Sequence, residues 1–243
     1  MSLHYRLDGD GERAVALSGS LGSTVDMWEP QIPALAKRFR VLRLDHPGHG
    51  GSPLLDVRSV KGIAQEVVAL LDELALRQVS FCGLSLGGAV GMRLAIDAPE
   101  RLDRLVLCCT SMRFATPDFW DDRARIVRED RVEAIADVVL ERWFTPEFED
   151  VRRYREMLVS TPREGYARCC EAVRDWDVRG QLGEVRAPTL VIAGADDPST
   201  PPAELEAIAG EIPDARLVVL GRACHLANVE RADEFNAALV SFL

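Results

Sequence analysis

No stretch of this chain stays uncharged for long enough to cross a bilayer. The longest such run, Gln78–Met92, has 15 residues and includes four glycines; a spanning helix needs ~18 or more. The opening residues, MSLHYRLDGDGER, hold no apolar signal segment, so export is not expected and a cytoplasmic protein is. Lysine is nearly missing: Lys37 and Lys61 are the only two among 29 basic residues, which face 39 acidic ones. The resulting net charge of −10 excludes the basic face that nucleic-acid phosphates require. An anionic membrane surface is excluded by the same repulsion. The six cysteines form no C-x-x-C pair, and four of them are adjacent twos, Cys108-Cys109 and Cys169-Cys170. That spacing excludes a zinc frame, and no metal or cofactor is expected. A chain of 243 residues buries a core without a disulfide framework. Cys82, Cys108 and Cys109 lie in apolar, strand-like runs and read as small buried hydrophobes. Cys224, beside His225, is the one candidate for a reactive thiol.

What is present is an alternation. Strand-like runs fall at 14–19, 40–44, 79–82, 104–109, 188–194 and 216–220. Between and after them lie helical patterns: a short helix over Trp28–Phe39 touched by Pro33, then Val60–Leu74, 86–97, 202–212 and 231–242. In the second of these, Ile63, Val67, Leu70, Leu71 and Leu74 repeat at the spacing of one helix face. Such an order predicts an α/β fold, a mostly parallel central sheet with flanking helices. From Arg113 to Gly183 the texture changes. No central strand is visible, 13 Arg stand among 16 Asp and Glu, and Ile135, Val138, Val139, Trp143 and Phe144 share a helix-like face. The expected organisation is a core of 1–112 and 184–243 with a helical cap inserted at 113–183.

Gly83-Leu84-Ser85-Leu86-Gly87 is a G-x-S-x-G sequence placed after a predicted strand and before a predicted helix. A serine on such a turn is exposed as a nucleophile, and glycines at 83 and 87 let the turn close. The following helix brings free N–H groups and a positive dipole end beside its oxygen. A serine hydroxyl also needs a base. Of four histidines, His4 lies near the terminus and reads as a surface residue, while His46 and His49 sit in the HPGHG loop and read as loop-shaping. His225 follows the last strand, at the same sheet edge as Ser85. The base needs an orienting acid. Asp197 and Asp196 both follow strand TLVIAG, and the spacing from Gly194 and Pro201 favours Asp197. The order Ser85, Asp197, His225 is the one expected when this set sits on a hydrolase of α/β type. Two N–H groups are expected to hold the oxyanion: that of Leu86, and that of Leu21 in the SGSLGS loop (18–23).

These motifs resemble the α/β-hydrolase superfamily over Ser18–Leu243. More narrowly, SGSLGSTVDMWEPQIPALAKRFRVLRLDHPGHG, SFCGLSLGG, ERWFTPEF and TPREGYARCCEAVRDWDVR resemble the 3-oxoadipate enol-lactonases. The last two segments lie in the expected cap, which varies widely among α/β-hydrolases. One departure stands out: the family loop usually reads D-H-R-G-H-G, and here Pro47 replaces the arginine. The resemblance implies a small anionic lactone substrate in aromatic catabolism, opened through an acyl-enzyme. It also implies a cationic partner for the substrate carboxylate, with Arg113 and Arg142 as candidates, and Trp143 either lining the pocket or packing the cap. A carboxylesterase, a perhydrolase, a C–C bond hydrolase and a non-catalytic scaffold share the same core motifs. A haloalkane dehalogenase is disfavoured because its nucleophile would be Asp.

Overall fold

The computed structural model describes residues 2–243. Its strands are β1 Tyr5–Asp8, β2 Ala14–Ser18, β3 Arg40–Leu44, β4 Val79–Leu84, β5 Leu102–Cys108, β6 Thr189–Gly194 and β7 Arg216–Leu220. They form one sheet in the order β1-β3-β2-β4-β5-β6-β7. Every pairing is parallel except that of β1 with β3. Strands β2, β4 and β6 are buried at each residue, as befits strands covered on both faces. The sequence pattern does not reveal β1. Its residues YRLD are partly or wholly exposed, and it is held by its ladder to β3 rather than by burial.

The helices are α1 Ile32–Leu35, α2 Val60–Glu73, α3 Leu86–Asp97, α4 Pro117–Asp130, α5 Ala136–Trp143, α6 Val151–Val159, α7 Arg163–Arg174, α8 Pro202–Glu211, α9 Ala227–Glu230 and α10 Ala232–Phe242. One expected helix is broken. The one over Trp28–Phe39 is a 3-10 segment, Val25–Gln31, followed by the single turn of α1. Pro30 and Pro33 explain this, since neither can donate to a helical ladder. The helix expected over 231–242 is α10, and the short α9 precedes it, separated by Arg231, whose φ of −123° and ψ of 49° leave the helical region. Among the described residues no helix is long and apolar enough to cross a membrane.

This topology creates a place for a site. From β2 the chain moves to one side to form β3, then crosses to the other side to form β4. The loops after β2 and β4 therefore part at the C-terminal sheet edge, which is where open α/β sheets leave a crevice. Over that edge lie α4, α5, α6 and α7, all between β5 and β6 in sequence. Helices α4 and α7 are tied by Arg128 to Glu164 at 2.9 Å and to Glu171 at 2.7 Å. Such half-exposed pairs add little stability. The buried faces of Trp120, Ala124 and Val127 on α4, and of Tyr166, Cys170 and Val173 on α7, carry the packing.

Candidate active site

One residue, Ser85, separates β4 from α3. Its φ of 58° and ψ of −114° lie where non-glycine residues are rare, a strain on the order of 1–3 kcal/mol. The surroundings impose it. The Ser85 N–H donates to the Cys108 carbonyl at 2.9 Å, and its own carbonyl accepts from Thr110 Oγ1 at 2.8 Å. The turn also needs its glycines: a Cβ on Gly83 would stand 2.1 Å from the Gly87 carbonyl oxygen, and one on Gly87 2.0 Å from that of Ser18.

Leu86 is the first residue of α3, so its N–H has no acceptor within the helix. The loop after β2 is drawn against it by Gly87 N–H, which donates to the Gly19 carbonyl at 3.0 Å. A turn closes from Ser23 N–H to the Ser20 carbonyl at 3.1 Å. Leu21 takes the second position of that turn, where the N–H is not used by the turn itself. Leu21, Ser85, Leu86 and His225 all line one cavity of about 650 Å³ including its mouth.

The carboxylate that meets His225 is Asp197. Its Oδ2 accepts from His225 Nδ1 at 2.8 Å and from Thr200 Oγ1 at 2.7 Å. Its Oδ1 accepts from the N–H groups of Ser199 at 2.8 Å and Thr200 at 3.1 Å. Burial pushes the Asp197 carboxyl up, but the imidazole and these donors outweigh it and hold the group below the usual carboxylate range. The bond at Nδ1 fixes a proton there and leaves Nε2 as the basic atom. Asp196 is exposed and contributes its carbonyl to Cys224 Sγ at 3.2 Å.

The inserted helices hold the histidine loop from above. The N–H groups of His225 and Leu226 donate to the carbonyls of Arg142, at 3.2 Å, and Trp143, at 3.0 Å. Glu230 bridges the same two segments, accepting from the Cys224 N–H at 2.8 Å and from the N–H of Thr145, also at 2.8 Å, as well as from the Thr145 hydroxyl. Sequence reasoning missed Glu230, because an acid at the end of a short helix carries no distinguishing pattern.

Phe119, Trp120, Arg123, Arg142, Trp143 and Tyr166 bring the insertion's side chains into the cavity. Trp143 thus both packs, at 3% exposure, and lines the pocket. The Arg123 guanidinium lies 5.2 Å from the Phe119 ring centre and that of Arg142 lies 5.8 Å from it. Among the described residues neither arginine is ion-paired. Arg113 does not reach this cavity. Ser111 Oγ accepts its N–H at 3.1 Å and donates to its carbonyl at 2.6 Å, and the tight turn leaves the side chain exposed. The missed residue is Arg123. It follows Trp120 by three positions, on the edge of the face α4 buries, which was its only sequence signal.

The remaining expectations fare differently. His4 is not a free surface residue: its Nδ1 lies 2.7 Å from Oδ2 of the buried Asp45. Cys224 is nearly buried, and burial together with Glu230 raises its thiol to about 11, which removes it as a reactive thiolate. All six cysteines are free. Among the described residues no group of three or more His, Cys, Asp or Glu is placed to hold a metal ion.

A strained serine at a strand-to-helix turn, an Asp–His pair at the same sheet edge and helices roofing the cavity define the class. The chain belongs to the alpha/beta hydrolase family, whose model matches residues 14–238. Within it, the resemblance to the enol-lactonases extends over the whole chain. It is 38% identical to 3-oxoadipate enol-lactonase 2 of Acinetobacter baylyi, over 98% of this chain and 92% of that one. The crystal structure of the enol-lactonase from Burkholderia xenovorans LB400 superposes with a TM-score of 0.96 at 39% identity, covering 99% of this chain and 95% of the other. A relative from Variovorax paradoxus, 32% identical over 100% of this chain and 96% of its own, carries the name of a carbamate hydrolase, RutD.

Proposed function

We propose that this chain is a serine hydrolase that opens 3-oxoadipate enol-lactone, with Ser85, His225 and Asp197 as its triad. Segment 113–183 is its cap domain, on a core formed by 1–112 and 184–243. Asp197 keeps the Nδ1–H tautomer of His225, so Nε2 takes the Ser85 proton as Oγ attacks the ring carbonyl. The negative oxygen is received by the N–H groups of Leu21 and Leu86. As the carbonyl re-forms, the ring C–O bond breaks and the enol oxygen takes the proton from His225. The enol then tautomerises to a ketone, which draws the reaction forward. Water attacks the Ser85 ester with His225 again as base, releasing the diacid and restoring the serine.

One observation carries the choice of substrate: Arg123 and Arg142 line the cavity with no carboxylate partner among the described residues. With a net charge of −10, the protein repels anions at long range, so an anionic substrate needs a local cation. Two guanidinia beside the apolar faces of Phe119 and Trp120 suit an acetate arm next to a small ring. A carbamate would leave that apolar wall unused. The six free thiols and the small-metabolite substrate fit a reducing cytoplasm.

The test separates charge from ring chemistry. Arg142→Met and Arg123→Met are each expected to raise KM for the enol-lactone ~10- to 100-fold, the loss of one charge-assisted hydrogen bond. KM for the corresponding methyl ester, which has no carboxylate, should hardly change. Equal losses on both substrates would remove the arginines from substrate recognition.

A further inference from the structure

The HPGHG loop contains two buried histidines that the triad does not use, 1% and 0% exposed. Both reach the loop after β2, and they do so in opposite senses. His46 Nε2 lies 2.8 Å from the Gly19 carbonyl oxygen. A carbonyl only accepts, so this nitrogen carries the proton, and the buried Nδ1 has no partner among the described residues. His49 is reversed. Its Nδ1 lies 3.1 Å from the Pro47 carbonyl and must donate, while its Nε2 accepts the Gly22 N–H at 3.1 Å. One loop thus holds two neutral imidazoles in different tautomers, with ring centres 6.1 Å apart.

The two contacts bracket Leu21. On one side Gly19 is fixed by His46 and by the Gly87 N–H of α3. On the other, Gly22 has a φ of +82°, a conformation that suits glycine, and among the described residues only His49 takes its N–H. The His49 ring is itself stacked on Tyr166 of the inserted helices, with centres 6.4 Å apart. A protonated His49 would turn a second N–H against that of Gly22 and break the contact. Burial and the neighbouring His46 oppose this, lowering its titration to about 3.

We infer that His49 is a positioning residue for the oxyanion hole: its unprotonated Nε2 holds the Gly22 N–H and so aims the Leu21 N–H at the reacting carbonyl, while His46 anchors the other end of the turn. This rests on the proposed roles of Ser85 and Leu21. Oxyanion donors act on the transition state and not on the bound ester. Loss of the acceptor should therefore lower kcat and leave KM nearly alone.

Two measurements test it. In the unaltered protein, long-range ¹H–¹⁵N imidazole spectra at pH 6 should show His46 as the Nε2–H tautomer and His49 as the Nδ1–H tautomer. An Nε2–H or a protonated His49 would overturn the inference without any variant having to fold. In kinetics on an ester or lactone that the parent enzyme turns over, His49→Phe fills the space without an acceptor. It should lower kcat ~10- to 100-fold, a misplaced rather than a deleted donor. His49→Gln, with an acceptor oxygen near the Nε2 position, should recover most of that loss. A boronate that mimics the tetrahedral adduct should bind more weakly to the Phe variant in proportion to kcat, with binding of a carboxylate product unchanged. A folded Phe variant with undiminished kcat, or equal loss of boronate and product binding, would contradict the role. Ser85→Ala, run alongside, separates the two failures. If it stays active, the nucleophile is wrong; if it is dead while His49→Phe is unimpaired, only the His49 role falls.

Discussion

Ser85→Ala is expected to lower kcat on the order of 10⁶-fold, with the folded structure kept and substrate still bound. The size of the loss follows from the chemistry. Without Oγ there is no acyl-enzyme, and the remaining N–H groups can only assist direct attack by water. Stability should move the other way, by a small amount. Alanine removes a buried hydroxyl while the backbone at position 85 keeps its φ of 58° under the Cys108 and Thr110 hydrogen bonds. Steady-state turnover together with substrate binding by calorimetry would check both parts. A variant that binds and still turns over within tenfold of the parent would remove Ser85 from the chemistry.

Asp197→Asn should cost about 10⁴-fold in kcat, through the tautomer rather than through geometry. Asparagine can keep the shape and still accept from the N–H groups of Ser199 and Thr200. Its NH₂ group, however, can be turned toward His225 Nδ1, which must then accept, and the proton moves to Nε2 where the base is needed. The acid also matters for stability. Its folded carboxyl is held below the usual range. The stabilisation is therefore present above that range and is lost as the pH falls through the lowered value. Asparagine should flatten that acid limb. Single-turnover kinetics and acid denaturation of the two proteins would test it, and unchanged turnover in the variant would exclude Asp197 as the orienting group.

The fold was legible wherever burial writes a pattern. The buried strands 14–18 and 189–194 are apolar runs next to Gly19 and Pro188, and the parallel order follows from the helices between the strands. Strand β1 was not legible because an edge strand of charged residues has no apolar signature. The Trp28–Phe39 helix was over-read because its apolar spacing outweighed two prolines that forbid a continuous ladder.

At the site, local motifs carried most of the information. Strand, turn and helix around Ser85 follow one another directly in Val79–Asp97, and the loops bearing Asp197 and His225 each follow a strand. What sequence could not supply was contact between distant segments. Arg123 enters the cavity and Arg113 does not, although both are arginines in the same charged insertion. His4 meets Asp45, 41 residues away. Glu230 joins Thr145, after α5, to Cys224, after β7. None of these pairings has a spacing to betray it. The substitution of Pro47 in the HPGHG loop proved compatible with the loop's bonding, since its carbonyl still accepts from His49 Nδ1.

The most direct test is the initial rate of the purified protein on 3-oxoadipate enol-lactone, followed by ultraviolet absorbance, with p-nitrophenyl acetate measured in parallel. A lactone-opening site that recognises a carboxylate predicts a kcat/KM for the enol-lactone far above that for the neutral ester, on the order of 100-fold or more. Ready cleavage of the ester with the enol-lactone untouched would contradict it.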